Sequence, residues 1–237
     1  MRITIHQPNF LPYPGFFLKV YQADILVIGD SVQYSKKGFT NRNKIKTQHG
    51  AKWLSVPIIR NLPQTIDNVL INNMPINGKT WNETHLNTLR VNYSKAKFYD
   101  KYIDDIRIIY NKEWKYLAEF NLGLIKHILF ILGIKKDIIL LSSLNVEGKS
   151  SDLIVNICKK LGADEYISGI GGKNYLDEKL LESNSIKLFY SKFNCPEYEQ
   201  QFPQLGFIPN LSIIDMLFNV GSDTLKLIVE NGELLEN

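Results

Sequence analysis

The sequence predicts an α/β protein with a mostly parallel sheet, in a Rossmann-like and nucleotidyltransferase-like layout. Strand and helix patterns alternate near the N-terminus and again between residues 138 and 190, which predicts two βαβ-type runs. Between these runs the apolar spacing becomes purely helical. We therefore expect a single domain over residues 1–237, with a helical insertion at about 79–132 and C-terminal helices.

The first run consists of a strand at Arg2–Ile5, a helix from Pro14 to about Ala23 and a buried strand at Ile25–Ile28. Proline suits the first position of a helix because it has no N–H to leave unpaired. A polar stretch follows at Ser35–Lys46. The next segment, Lys52–Ile58, alternates like a strand, and its proline predicts a position near a sheet edge.

The later elements continue this alternation. Apolar residues at spacings of three and four predict three helices within residues 79–132. The second run has three strands, at Ile138–Leu141, Tyr166–Ser168 and Ile186–Tyr190, with helices at Ser150–Leu161 and Tyr175–Glu182 between them. Two helices at Leu211–Asn219 and Asp223–Asn231 are expected to close the chain, after a structured loop at Cys195–Pro209.

Composition narrows the class of protein. The formal net charge is +4, which is too mild to favour a nucleic-acid partner held by bulk charge. No apolar run is long enough to span a membrane and no signal-peptide pattern precedes the first strand, so we expect a cytoplasmic protein. Two cysteines and four histidines without ligand spacing predict neither a disulfide framework nor a metal site.

The first candidate site is the segment HQPNFLPYPG, which follows the first strand. In a parallel sheet the ligand crevice lies at the carboxyl ends of the strands, so His6, Gln7 and Asn9 are placed to reach a ligand. The alternative is a rigid proline turn with a hydrogen-bonded core histidine. The sequence leaves both open.

The second candidate is the basic segment SKKGFTNRNKIK. Arginine offers a planar fork of donors to phosphate or carboxylate, and asparagine adds neutral hydrogen bonds. The alternative is a solvated charged loop. The residues expected to bind substrate here are Asn41, Arg42, Asn43 and Lys46, with Lys36, Lys37, Lys44 and Phe39 close by.

The third candidate is SGIGG, at the end of a predicted strand and before a predicted helix. Backbone N–H groups of glycines and a helix N-terminus both favour a phosphate. The expected contacts are Ser168, Gly169, Gly171, Gly172 and Lys173, although a plain tight turn explains the glycines equally well. His85 shares a helical face with Trp81, which fits either a ligand contact or packing.

Together these segments, with KWLSVPI, WNETH and LSIIDMLFNVG, resemble the WbqC family in order and nearly end to end. The parts that match the family pattern are His6, Gln7, Pro8, Asn9, Gln33, Tyr34, Asn41, Arg42, Asn43, His85, Ser168, Gly169, Gly171 and Gly172. The family pattern also places an acid at Asp30. Ser31 departs from it, because many relatives carry a second acid there, and this puts a paired-carboxylate role in doubt.

The resemblance implies a transferase or ligase of surface-polysaccharide (O-antigen, lipopolysaccharide) biosynthesis that attaches an amino acid such as glycine to a nucleotide-linked amino sugar. His6, Asn9, Asp30 and His85 are then the catalytic candidates. Gln33 and Tyr34 join the substrate contacts. ATP is a candidate activator, by analogy with amide-forming nucleotidyltransferase-like enzymes. This sequence differs from those enzymes at Phe16, because they carry a second histidine near this position. The alternatives are a non-catalytic module that binds sugar nucleotide or nucleic acid, and a purely structural role.

Overall fold

A six-stranded sheet lies at the centre of the computed structural model, which describes residues 1–59, 61 and 63–237. The strands, in chain order, are β1 Arg2–His6, β2 Ile25–Ile28, β3 Arg42–Thr47, β4 Gly50–Ser55, β5 Ile58–Ile59, β6 Leu70–Ile71, β7 Asp137–Leu140, β8 Glu165–Gly169, β9 Lys187–Phe193 and β10 Gly232–Glu236. The α-helices are α1 Pro14–Gln22, α2 Trp81–Tyr93, α3 Tyr99–Tyr110, α4 Leu117–Ile131, α5 Ser150–Leu161, α6 Glu178–Ser183, α7 Ile213–Val220 and α8 Thr224–Glu230.

The central sheet has the strand order β10-β9-β8-β1-β2-β7, and all its strands except β10 run parallel to their neighbours. Thr4 of β1 pairs with Leu26 on one side and Ile167 on the other. The chain moves outward from β1 through β2 to β7, then returns to the opposite side of β1 to form β8 and β9. The predicted mostly parallel α/β sheet is confirmed, and the order of strands reverses between β1 and β8.

The two faces of the sheet carry different helices. Phe17 and Leu18 of α1 pack in the larger core, together with Leu26 of β2. Val27, the next residue of β2, points to the other face and packs with residues of α5 and α6, such as Ile157. Because side chains alternate along a strand, one short apolar strand supplies both cores.

Three helices lie between β6 and β7, where the sequence predicts a helical insertion. Helix α2 begins with a capping box in which Thr80 and Glu83 satisfy each other's free backbone groups. The rings of Trp81 and Tyr110 pack against Phe120 of α4, which joins the three helices into the larger core. Within the described ranges, no helix is both long and apolar enough to cross a bilayer.

Two local predictions differ from the structure in their bounds. The strand predicted at Lys52–Ile58 corresponds to β4, which ends at Ser55 and lies at a sheet edge, because it pairs with β3 in a separate two-stranded antiparallel sheet. Part of the predicted polar stretch therefore also forms a strand. The helix predicted from Tyr175 begins only at Glu178, because residues Ile170–Asn174 after β8 form a 3₁₀ turn.

Strand β10 is absent from the sequence prediction. The segment GELLE has two adjacent leucines between two acids, which matches neither strand alternation nor helical spacing. Tertiary contacts decide its conformation, because β10 pairs along β9 and packs against α1. At Gly232 an added Cβ would lie 2.4 Å from the Leu18 side chain, so only glycine fits this close approach.

We expect Gly232→Ala to destabilise the protein by about 1–3 kcal/mol, because the new methyl group overpacks the fully buried Leu18. Thermal unfolding measures the change as a drop in Tm of about 2–4 °C per kcal/mol. Gly171→Ala is the matched control, since nothing lies within 4 Å of a Cβ there. Equal Tm values for the two variants would contradict the close packing of β10 on α1.

Candidate functional site

A cleft of about 540 Å³ opens at the carboxyl ends of β1 and β8, where the order of strands reverses. We call it the β1–β8 cleft. Open α/β sheets bind ligands at such a reversal, because the loops after the two strands leave toward opposite faces. The residues that line the cleft are Ile5, His6, Gln7, Lys19, Gly29, Val32, Ser150, Leu153, Ile154, Tyr166, Ser168, Gly169, Gly171, Gly172 and Tyr175.

His6 ends β1 and lines this cleft. Its Nδ1 lies 2.9 Å from the carbonyl oxygen of Gln7, which can only accept, so Nδ1 carries the proton and Nε2 has the lone pair. The edge of the imidazole contacts the Phe16 ring at a centroid distance of 4.8 Å. Burial, and after it the positive charge of Lys19, lowers the pKa of His6 to about 3, so the ring is neutral at pH 7.

Lys19 of α1 is the cation of the cleft, and its side chain is only 6 % exposed. The ammonium donates to the carbonyl oxygen of Ile5 at 3.2 Å. Within the described part of the chain no carboxylate pairs with it. Burial lowers the pKa of Lys19 to about 7, so this amine gains or loses its proton near neutral pH.

The glycine turn after β8 forms the opposite wall. An added Cβ at Gly172 would lie 2.1 Å from the Ser168 Oγ, so glycine is required where the turn folds back against the end of β8. Gly169 and Gly171 have open space on the side where a Cβ would project. Lys173 leaves the turn and places its Nζ 4.9 Å from the centroid of the Tyr190 ring.

The helix that begins at the cleft is α5, whereas the glycine turn continues as a 3₁₀ turn and the helix predicted after it, α6, begins at Glu178. Ser150 and Leu153 of its first turn line the cleft. The first N–H groups of a helix lack acceptors within the helix and carry partial positive charge. The helix N-terminus at the cleft is therefore that of α5, and not that of the helix predicted after Gly172.

The proline-rich loop after His6 contacts the basic segment. Gln7 lines the cleft, and its Oε1 accepts from the Thr40 hydroxyl at 3.5 Å. The backbone N–H of Phe10 donates to the carbonyl oxygen of Phe39 at 3.0 Å. Asn9 keeps a buried Oδ1 without a hydrogen-bond partner in the described ranges. The first and second sequence candidates are thus neighbours in space.

Asp30 follows β2 and is buried, next to Gly29, which lines the β1–β8 cleft. Its carboxylate accepts from the Ser142 hydroxyl at 2.6 Å, from the Ser142 N–H at 3.0 Å and from the Ser31 N–H at 3.1 Å. These bonds tie the loop after β2 to the loop after β7. The geometry is that of a residue that holds two loops together, and a catalytic role for Asp30 stays a prediction.

The asparagines of the basic segment support the backbone. Asn41 accepts from the Tyr34 hydroxyl at 2.9 Å and donates to the carbonyl oxygen of Val56 at 3.0 Å. The buried Asn43 donates to the carbonyl oxygen of Leu11 at 2.7 Å, where Leu11 has a φ of 41°. These contacts fix the shape of the proline-rich loop and of the hairpin.

The charged residues of this segment separate into two groups. Arg42 places its guanidinium carbon 4.5 Å from the centroid of the Trp53 ring, on the outer face of the hairpin. Lys46 points inward and donates to Gln200 and to the carbonyl oxygen of Gly206 at 3.1 and 2.6 Å. Gln33 lines a separate hollow with Tyr34, Ser35, Lys36, Lys37 and Pro63.

Lys46 is part of a buried polar cluster and does not lie at the β1–β8 cleft. Asp215, at its centre, accepts from Tyr93, Tyr198 and Gln200 at 2.7, 2.8 and 3.0 Å. Burial lowers the pKa of Lys46, and the negative charge of Asp215 opposes this shift. The cluster secures the structured loop predicted at Cys195–Pro209.

His85 lies away from the cleft, against the rings of Trp81 and Tyr110. Its Nε2 contacts the carbonyl oxygen of Ser55 at 3.0 Å. Burial lowers its pKa to about 4. This arrangement matches the packing alternative, and a catalytic role for His85 stays a prediction.

Lys19 is the residue that the sequence analysis missed. A signal for it exists in the segment FFLKVY, where a single charge stands among residues that α1 buries almost completely. Buried lysines are rare because the ammonium loses its hydration, so a lysine inside an apolar helix indicates a task for its charge. In the described residues, no three histidine, cysteine or acidic side chains gather as a metal site would require.

We expect Lys19→Met to raise the Tm at pH 6 by about 4–8 °C, equivalent to about 2 kcal/mol, because folding no longer buries an ammonium. The folded pKa of about 7 lies below the unfolded value of about 10.4. Between these values the unfolded state binds more protons, so the unfolding free energy of the unmodified protein rises with pH. The advantage of the variant should therefore shrink between pH 7 and pH 10.

The control for this measurement is Lys160→Met, which removes an exposed lysine near the far end of α5. Its Tm should stay within about 1 °C of the unmodified protein, since surface substitutions change stability little. A pH-independent Tm difference for Lys19→Met would mean that Lys19 keeps an ordinary pKa in the folded protein.

Comparison with a family profile identifies the family of this chain. The sequence profile of the WbqC-like protein family matches residues 7–227. This range begins at Gln7, directly after His6, and includes Lys19 and the glycine turn. The protein named "Uncharacterized protein Rv1507c" from Mycobacterium tuberculosis is 31 % identical over 226 residues, which is 94 % of this chain and 95 % of that protein. No solved structure matches. The chain belongs to the WbqC-like protein family.

Proposed function

We propose that this protein is a transferase or ligase of surface-polysaccharide biosynthesis that acts in the cytoplasm. In this proposal it joins an amino acid such as glycine to the amino group of a nucleotide-linked sugar, within the β1–β8 cleft. The observation that carries the proposal is the pair Lys19 and His6: a buried amine that, within the described residues, has no carboxylate partner, beside a neutral imidazole.

Lys19 would hold the anionic part of the activated amino acid. A largely buried ammonium attracts a carboxylate or phosphate strongly, because the local dielectric is lower than that of water. The Gly171 and Gly172 backbone and the first turn of α5 add N–H groups on the other side of the cleft. Three separate segments thus offer positive charge or donors to one anion.

His6 would accept the proton that the attacking amine loses. Its Nε2 carries the lone pair, since Nδ1 donates to Gln7. An anion bound at Lys19 raises the pKa of the imidazole, because a nearby negative charge favours the protonated ring. The amine nitrogen forms a bond to the acyl carbon, the carbon–oxygen bond to phosphate breaks, and the electron pair leaves on the phosphate oxygen.

ATP is the co-substrate that we propose for activating the carboxyl group. The carboxylate attacks the α-phosphorus, an acyl-adenylate forms and pyrophosphate leaves. The parallel strands follow the order 3-2-1-4-5 when they alone are counted, which supports the Rossmann-like and nucleotidyltransferase-like layout and a nucleotide site at the reversal. Asn9 and Asp30 are positioning residues in this scheme, and His85 supports the packing around Trp81.

A second candidate is a module that binds a sugar nucleotide or nucleic acid without catalysis. The observation that favours it is the pair of exposed rings, Phe39 and Trp53, beside Arg42. An assay for product separates the two candidates. Incubation with ATP, glycine and UDP- or dTDP-linked amino sugars should yield the glycylated sugar nucleotide, AMP and pyrophosphate, detected by mass spectrometry.

Substitution of Lys19 should weaken nucleotide binding in the cleft. We expect ATP to stabilise the protein in a thermal-shift measurement, and Lys19→Met to weaken ATP binding by at least about tenfold, since a buried charged contact contributes about 1.4 kcal/mol or more. Lys160→Met should bind ATP like the unmodified protein. Equal affinity for ATP in both variants would remove Lys19 from the proposed site.

His6→Gln should lower the rate of amide formation by about 10²–10⁴, the usual contribution of a general base. His127→Gln, on α4, is the matched control, and its rate should equal that of the unmodified protein. Single-turnover formation of the glycylated product measures the step directly. An unchanged rate in His6→Gln would mean that the proton goes to another group.

A further inference from the structure

The charges of the chain are strongly segregated. Residues 31–66 hold seven of the 28 basic residues and none of the 24 acidic ones. The remaining residues therefore contain 21 basic and 24 acidic side chains, so their formal charge is negative. The net charge of +4 is therefore concentrated in one basic segment of the sequence.

Part of this basic segment forms an exposed aromatic surface. The rings of Phe39 and Trp53 are 47 and 43 % exposed, and their centroids are 5.7 Å apart. Arg42 and Lys44 lie on the same outer face of the β3–β4 hairpin, 4.5 and 5.2 Å from the Trp53 ring. We call these four residues the hairpin platform.

The cations around the platform have no anionic partners. In the part of the chain that the structure describes, the side chains of Lys36, Lys37, Arg42 and Lys44 form neither an ion pair nor a hydrogen bond. Lys36 and Lys37 line the hollow beside Gln33. Exposed rings together with unpaired cations match a ligand that carries both a flat ring and phosphate.

The platform lies next to the β1–β8 cleft. Gly29 and Val32 line the cleft, and the residue after Val32, Gln33, lines the basic hollow. Gln7 of the cleft contacts Thr40, which directly follows Phe39. A ligand held at the platform can therefore extend toward Lys19 and His6.

We propose that the hairpin platform binds the nucleoside diphosphate part of the substrate, with the base on Phe39 and Trp53 and the diphosphate on Arg42, Lys44, Lys36 and Lys37. This inference rests on the proposed function and adds a second site to it: the sugar amine reaches the cleft from the platform. A long nucleic-acid strand would extend beyond the basic segment, and its phosphates would be repelled by the rest of the chain, whose formal charge is negative.

The test is calorimetric titration of the full-length protein with UDP and, separately, with pyrophosphate, which has no base. Trp53→Ala should weaken UDP binding by about tenfold, because the ring on which the base stacks is lost. It should leave pyrophosphate binding unchanged. Arg42→Ala should weaken the binding of both UDP and pyrophosphate.

Lys52→Ala is the matched control, because it removes a neighbouring exposed cation whose side chain points to the opposite face of β4 from Trp53. It should leave UDP affinity unchanged. Lys19→Met should also keep UDP affinity, so loss of amide formation in that variant with intact UDP binding separates the cleft from the platform. If the platform binds UDP and no amide forms, the proposed function fails while this inference stands.

Two results would overturn the inference. One is equal UDP affinity in Trp53→Ala and the unmodified protein. The other is binding of single-stranded RNA that tightens steadily from a dinucleotide to a decanucleotide, which would identify a strand-binding surface in place of a mononucleotide site.

Discussion

The reversal of strand order between β1 and β8 is the constraint on which the proposed chemistry depends. Helix α1 covers one face of the sheet, whereas α5 and α6 cover the other, so the loops after these strands separate and leave a cleft. The same geometry brings His6, at the end of β1, opposite the glycine turn at the end of β8. Segments about 160 residues apart in sequence thus face one another across a single gap.

Within this cleft the burial of Lys19 opposes stability. An ammonium beneath the surface loses hydration, and one carbonyl oxygen, that of Ile5, replaces only part of it. Elsewhere the chain buries charge together with partners, as in the cluster where Lys46 lies near Asp215, Tyr93 and Gln200. The contrast separates two kinds of buried lysine: Lys46 fastens a loop through its polar partners, whereas Lys19 donates to one backbone carbonyl and, within the described residues, pairs with no carboxylate.

Much of the fold was predictable because apolar alternation and helical spacing report burial directly. Helix α5 matches its predicted bounds, and the ends of the parallel strands lie within three residues of those predicted. Strand β10 was not predictable, since pairing with β9 and the close approach of Gly232 to α1 decide it. For the site, sequence reasoning found the chemical groups near the cleft. It could not tell that Lys46 and His85 point into the interior, because side-chain direction depends on distant packing partners.

The most direct test of the central claim is pulse labelling of the lysines with acetic anhydride at pH 6 to 11, read by peptide mass spectrometry with and without ATP. We expect labelling of Lys19 to rise with a midpoint near pH 7 and ATP to suppress it, whereas labelling of exposed lysines such as Lys160 should not change with ATP. A midpoint near 10 for Lys19 would mean that burial does not lower its pKa, and equal labelling with and without ATP would mean that Lys19 does not contact bound ATP.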